Sequence, residues 1–228
     1  MTALFQLDLF VHAVFSAALF QGALLTVGLS LCVMAVSLVL GMGLGSMAGS
    51  PRRAVRWIVT VYVWLFRGAP ALLVLLFVWN GLPQISDVFR ADWFTPFFAA
   101  FLALSLIQIA YLAEILRSAF AAVGQGQREG AAALGLHGWQ IFLLVTMPQA
   151  LRIAVPALMN EFISLLKTTS LATVISLKEL MTVSQFAIAT SFRFLEWYGA
   201  ALVYYLVIVS LLTFAQGRIE YRLSRGYR

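Results

Sequence analysis

Between Leu9 and Pro51 the sequence has no Asp, Glu, Lys or Arg, and that absence excludes a water-soluble fold for the segment. A bilayer core needs only about 20 apolar residues in helical form. Charge is scarce throughout: 11% of the 228 residues carry it, against 62% that are hydrophobic. Too little polar surface remains to cover an aqueous globule of this size. Cysteine is nearly missing as well. The single Cys32 excludes an internal disulfide and a thiolate metal cluster, and reads as a small packing residue. His12 and His137 have no partner at ligand spacing, so no metal site is expected. No Lys or Arg precedes Arg52, so the chain lacks the basic region of a cleaved signal peptide. The first apolar run is expected to stay as a permanent span, preceded by a short interfacial helix around Phe5 to Ser16. The net charge of +6 is spread over short segments between apolar runs rather than gathered into one footprint, which excludes nucleic acid as a partner.

What is present is a set of long apolar runs. They predict an all-α membrane protein, a single transmembrane domain over 1–228 with about five spans near 19–48, 57–80, 95–117, 152–174 and 198–217. Arg52, Arg53 and Arg56 lie between spans one and two. Arg117, Arg128 and Arg152 bracket the loop between three and four, and Arg218, Arg222, Arg225 and Arg228 follow span five. The opposite side carries Arg90, Lys178 and Arg193 mixed with Asp8, Asp87, Asp92, Glu179 and Glu196. Positive charge favours the cytoplasm, so the N-terminus is expected outside and the C-terminus inside.

Gly41, Gly45 and Gly49 recur every four residues, a spacing that lets another helix approach closely. The series lacks the Lys-Ser/Thr ending of a phosphate loop. Arg67-Gly68-Ala69-Pro70 interrupts span two. Such breaks are tolerated at membrane depth where protein or a watery cavity surrounds them. The cytoplasmic loop 118–151 reads as a helical hairpin: Gln127 to Leu134 helical, Gly135 ending it, Trp139 to Thr146 a second short helix, and Pro148 stopping that. Its small apolar surface suits docking into a groove on another protein.

The series Gly126-Gln127-Arg128-Glu129-Gly130-Ala131-Ala132-Ala133-Leu134-Gly135, followed by Val145-Thr146-Met147-Pro148, resembles the EAA loop of ATP-binding-cassette importer permeases. Gly130, Val145 and Met147 depart from that pattern conservatively. Arg67-Gly68-Ala69-Pro70, Ala110-Tyr111-Leu112-Ala113-Glu114, Pro148-Gln149-Ala150-Leu151-Arg152 and Asn160 followed by Lys167-Thr168-Thr169-Ser170-Leu171 resemble segments of the polar amino acid subfamily, with Thr168 where Asp is common. The resemblance implies a type I importer permease in the bacterial inner membrane. Its partners would be a pair of ATPase subunits, a second permease, identical or homologous, and an extracytoplasmic binding protein delivering a polar amino acid. ATP and Mg would sit on the ATPase, and no cofactor on this chain. Gln127, Arg128, Glu129, Gly130, Ala131, Leu134, Gly135, Leu136 and Pro148 would form the ATPase-coupling element, with Glu129 opening its helix. The competing classes, a channel-like pore or an ion-coupled secondary transporter, would show a selectivity filter or internal repeats, and neither is visible.

Arg67 and Glu161 fall near the bilayer midplane, about 14–15 Å from the cytoplasmic face at about 1.5 Å per residue. Charges at that depth face the bundle interior, paired or lining a pathway. Either the two hold the broken helix together, or they line the path of the solute with Asn160, Ser164 and Thr168. Ser164 and Thr168 share a helix face with Glu161. Lys167, Thr169 and Ser170 are candidates for an outer gate or a subunit contact. Glu114 is a further gate candidate, and its spacing from Arg117 also allows an ion pair.

Overall fold

The computed structural model describes residues 5–224. Among them every regular element is helical: α1 (Leu7–Val14), α2 (Ala17–Met47), α3 (Arg53–Gly68), α4 (Ala71–Ile85), α5 (Pro96–Ala122), α6 (Gln125–Ala133), α7 (Gly138–Ile175), α8 (Leu180–Ser191) and α9 (Phe194–Ser224). Four of these, α2, α5, α7 and α9, are long and apolar enough to cross a membrane singly; α3 and α4 do so as a pair bent by 102°. Helix starts follow their caps. Ser16 accepts the Leu19 amide ahead of α2, and Thr95 accepts the Phe98 amide ahead of α5, whose first residue is Pro96, the residue whose missing N–H costs nothing there.

α5 is the central post. Its alanines Ala99, Ala100, Ala103, Ala110, Ala113 and Ala119 are all buried, which brings neighbouring backbones close. The tightest approach is that of α2. A Cβ on Gly45 would stand 2.8 Å from the Ala113 carbonyl oxygen, and one on Gly41 would stand 3.0 Å from the Leu112 Cβ. Gly49 lies beyond the end of α2 and meets nothing outside its own turn, so two glycines of the series make the contact. Cys32, expected to pack, is exposed. Trp57 and Trp64 on α3 and Leu206, Leu211 and Phe214 on α9 are exposed apolar residues, as lipid-facing surfaces require.

Two expectations change. Pro148 does not stop a helix, because α7 runs through it for 38 residues. The turns ahead of it, Ile141–Thr146, are widened to π geometry, which relaxes the backbone just where proline has no N–H to give. Glu179 and Glu196, placed by the sequence among the charges of the outer connections, are buried. Glu179 caps α8, accepting the amides of Met181 and Thr182 and the hydroxyls of Thr182 and Tyr205. Burial raises its carboxyl above the ordinary range. Glu196 accepts the Gln6 amide at 2.9 Å, and Tyr204 donates to the Val14 carbonyl at 2.8 Å, fastening α1 to α9. α8 itself was not anticipated, since the sequence reading stopped at span four and resumed at span five.

Replacing Gly45 by Val is expected to lower stability by about 1–3 kcal/mol, the cost of overpacking a close contact. Gly43, with nothing within 4 Å of an added Cβ, accepts Ala without loss; thermal unfolding of both variants in one detergent measures the difference.

Candidate functional site: a mid-span cavity and an exposed hairpin on one helix

Ala69 and Pro70 are both extended, with ψ of 132° and 129°. That conformation turns α4 away from α3 and leaves a gap in the crossing. α3 has 16 residues, roughly 24 Å at about 1.5 Å each, so the gap falls inside the hydrocarbon. It opens onto a cavity of about 170 Å³, room for roughly five or six waters at about 30 Å³ each. Ala69 and Ala71 form one wall; Gln108 and Tyr111 of α5 form the second; Glu161, Ser164 and Thr168 of α7 form the third. Non-helical backbone is tolerated at this depth where it lines such a space.

The Glu161 carboxylate has the Gln108 amide and the Arg67 guanidinium as its electrostatic neighbours. No ion pair within 4.0 Å joins Arg67 to Glu161 among the described residues. Instead the guanidinium carbon lies 5.4 Å from the centre of the Tyr111 ring, a cation–π distance, and the same cation is felt by Glu114. Glu114 itself pairs with Arg117 at 2.6 Å. Gln108 is buried and its Nε2 has no well-formed hydrogen bond. The Thr168 hydroxyl donates to the Ser164 carbonyl.

Asn160 is not part of this wall. It is exposed on another side of α7, where its Oδ1 accepts from Gln216 of α9 at 3.2 Å, and Gln216 also donates to Glu220. Lys167 is exposed, Thr169 is buried with its hydroxyl donating to the Leu166 carbonyl, and the Ser170 hydroxyl donates to the Lys167 carbonyl.

Sequence reasoning overlooked Gln108, Tyr111 and Gln216 as site residues. A signal for the first two was present. Ser105, Gln108 and Tyr111 are the polar residues of an otherwise apolar run and recur every three positions, which places them on one face.

The other end of α7 carries the hairpin. α6 begins at Gln125, so Glu129 sits in its middle and not at its opening; its carboxylate accepts from the Gln125 amide at 2.8 Å. Gly135 has φ of +82°, and it closes α6 with bonds from the Gly135 amide to Ala132 and the Leu136 amide to Ala131. Arg128 donates to the Phe120 carbonyl at 2.6 Å, and Gln149 donates to Gln127 at 3.5 Å. These bonds fix α6 to α5 and α7. Ala131 is buried toward them, while Leu134 is 84% exposed at the tip. Gly130 and Pro148 are exposed, and Leu136 is half-buried.

Comparison with known proteins places this geometry. Residues 41–225 match the family described as "Binding-protein-dependent transport system inner membrane component". The glutamine transport system permease protein GlnP of Escherichia coli is 36% identical over 210 residues, covering 90% of this chain and 93% of its own. The arginine transport system permease protein ArtQ of Bacillus subtilis is 35% identical over 204 residues, with coverage of 90% and 91%. A crystal structure of an amino acid ABC transporter with histidines superposes with a TM-score of 0.85 at 28% identity, covering 96% of this chain and 100% of that one.

Substitution of Gly130 by Ala is expected to stabilise α6 by up to about 1 kcal/mol. Alanine at Gly135 should cost about 1–2 kcal/mol, because a Cβ opposes the left-handed backbone there. Hydrogen exchange across residues 125–136 reads both, slower in the first variant and faster in the second.

Proposed function

The chain belongs to the family of binding-protein-dependent transport system inner membrane components, and on that premise we propose that it is the permease of an inner-membrane importer of polar amino acids. An extracytoplasmic binding protein would deliver the solute and a pair of separate ATPase subunits would drive uptake. The observation that carries this reading is the continuity of α7. One uninterrupted helix bears the arm that holds the exposed α6 tip and, further along, the Glu161, Ser164 and Thr168 wall of the cavity. A partner gripping α6 at Leu134 and Glu129 therefore moves the cavity wall as it closes, a rigid-body route between two states.

The cavity chemistry supports the solute class. One carboxylate, one amide and three hydroxyls, those of Tyr111, Ser164 and Thr168, line it, with a guanidinium beside it. A zwitterion finds an acceptor for its ammonium in Glu161 and donors for its carboxylate in Gln108 and Arg67. The arrangement suits an amino acid whose side chain is polar and not strongly charged, because Glu161 and Arg67 balance. The exposed residues Asn160 and Lys167 of α7 are too polar to face lipid, which supports a second permease subunit beside that helix. The arginine clusters after α2, around α6 and at the end of α9 support an outside N-terminus and a cytoplasmic C-terminus.

Reconstitution of the permease with its binding protein and ATPase in proteoliposomes tests both ends of α7. Leu134→Asp is expected to remove about 2 kcal/mol or more of docking free energy, roughly thirtyfold in ATPase affinity. Uptake and binding-protein-stimulated hydrolysis should fall with it. Undiminished uptake with an unanchored ATPase would falsify the importer reading. Glu161→Gln and Gln108→Leu are each expected to raise the solute concentration for half-maximal uptake about tenfold, the loss of one hydrogen bond to a charged group, with ATPase docking unchanged; unaltered uptake in both removes the cavity from the solute path.

A further inference from the structure

A second concavity, of about 610 Å³, lies where the ends of α2 and α5 meet the hairpin. Its charged lining residues are Arg117 and Arg128, and no carboxylate lines it. Gly45 and Gly49 give it depth, and Phe120, Ile141 and Phe142 give it apolar walls. Each arginine is committed on one side only. Glu114 takes Nε and Nη2 of Arg117, and the Phe120 carbonyl takes Nη2 of Arg128. Nη1 of Arg117, and Nη1 and Nε of Arg128, have no acceptor among the described residues.

Depth identifies what reaches this place. From Pro96 to Arg117 α5 advances 21 residues, roughly 32 Å at about 1.5 Å each, against a hydrocarbon thickness of about 30 Å. Arg117 therefore stands at headgroup level, where lipid phosphates lie, and Phe120 with the Phe142 ring packed on it at 5.6 Å stands about one turn further toward the cytoplasm. Met47, Leu143 and Leu144 are exposed on the same segments of chain.

We propose that this recess is a binding site for the phosphate of an anionic glycerophospholipid of the inner leaflet, held between Arg117 and Arg128. Two guanidiniums with free donors match a phosphodiester. A headgroup that also carries an ammonium gains nothing there, since no carboxylate lines the recess and Glu114 is already paired with Arg117. Phosphatidylglycerol is thus preferred over phosphatidylethanolamine or phosphatidylcholine. The bound lipid bridges α5 to the root of the hairpin through the two arginines, and so becomes part of what holds α6 in place. The assignment borrows from the proposed orientation only the leaflet that supplies the lipid.

The test uses the complete complex of permease, ATPase and binding protein, purified from membranes and transferred to nanodiscs of phosphatidylcholine alone or mixed with phosphatidylglycerol. Native mass spectrometry counts the lipid retained. Phosphatidylglycerol is expected to stay bound through delipidation while phosphatidylcholine does not. Retention should fall at least severalfold in Arg117→Gln and in Ala121→Trp, a variant that fills the recess without removing a charge. Arg53→Gln, outside the lining, should retain lipid as the unaltered protein does. Equal retention in all four proteins, or equal retention of the two headgroups, overturns the proposal. Binding of millimolar inorganic phosphate that is lost in Arg117→Gln, with no phosphatidylglycerol retained by the unaltered protein, would also overturn it, assigning the recess to a soluble anion. Because assembly with the ATPase is read in the same spectra, loss of the importer reading would show as a missing ATPase and not as a missing lipid.

Discussion

Lipid tails offer no hydrogen bonds, and each polar group carried to mid-depth must find its partner inside the protein. Most here do so within a turn of their own helix. Thr26 donates to the Gly22 carbonyl, Ser30 to Thr26, Thr168 to Ser164 and Ser184 to Leu180. Arg67, Gln108 and Glu161 are not satisfied in this way, and they gather around one cavity at the break between α3 and α4. The cavity is where charged groups in particular escape that rule; the Ser37 and Ser105 hydroxyls are also buried without a partner among the described residues, away from it.

That relaxation requires the surroundings to be firm. α5 supplies the firmness through its alanine faces, on which α2 lies at glycine distance. At the far end an aromatic cluster of Trp79, Phe89, Trp93, Phe94 and Phe98 closes over the turn between α4 and α5. The hairpin end is looser, with its concavities lying around α6. A further concavity of about 600 Å³ lies beside α8, lined by Gly22, Val183, Phe186 and Trp197, so open space borders both ends of the molecule.

Much of this was legible in the sequence because long apolar runs, glycine spacing and the position of Pro70 each have one physical reading in a bilayer. The hairpin was legible for a similar reason: Gly135 marks a left-handed turn, and alanines around Glu129 mark a helix. The start of α6 was misplaced because Gln125 and Gly126 carry no capping signal. Pro148 misled because a π turn that accommodates proline leaves no composition mark. Glu179 and Glu196 misled more instructively. A carboxylate between two spans reads as solvated, and only tertiary structure brings amides and hydroxyls from several helices to enclose it. Asn160 and Glu161 are adjacent in sequence yet serve different faces of α7, a separation of about 100° that adjacency conceals.

The Glu179 knot also bears on biosynthesis. The Leu180 amide donates to the hydroxyl of Thr26, 154 residues earlier, and Glu179 is completed by Tyr205 from the last helix. Neither bond can form until the ribosome has delivered nearly the whole chain. During that interval Thr26 and Ser30 are already satisfied by carbonyls of their own helix, so α2 can wait in the bilayer as a finished rod. The latching of α8 between α2 and α9 then falls last, a closing step that inspects whether every earlier helix has arrived.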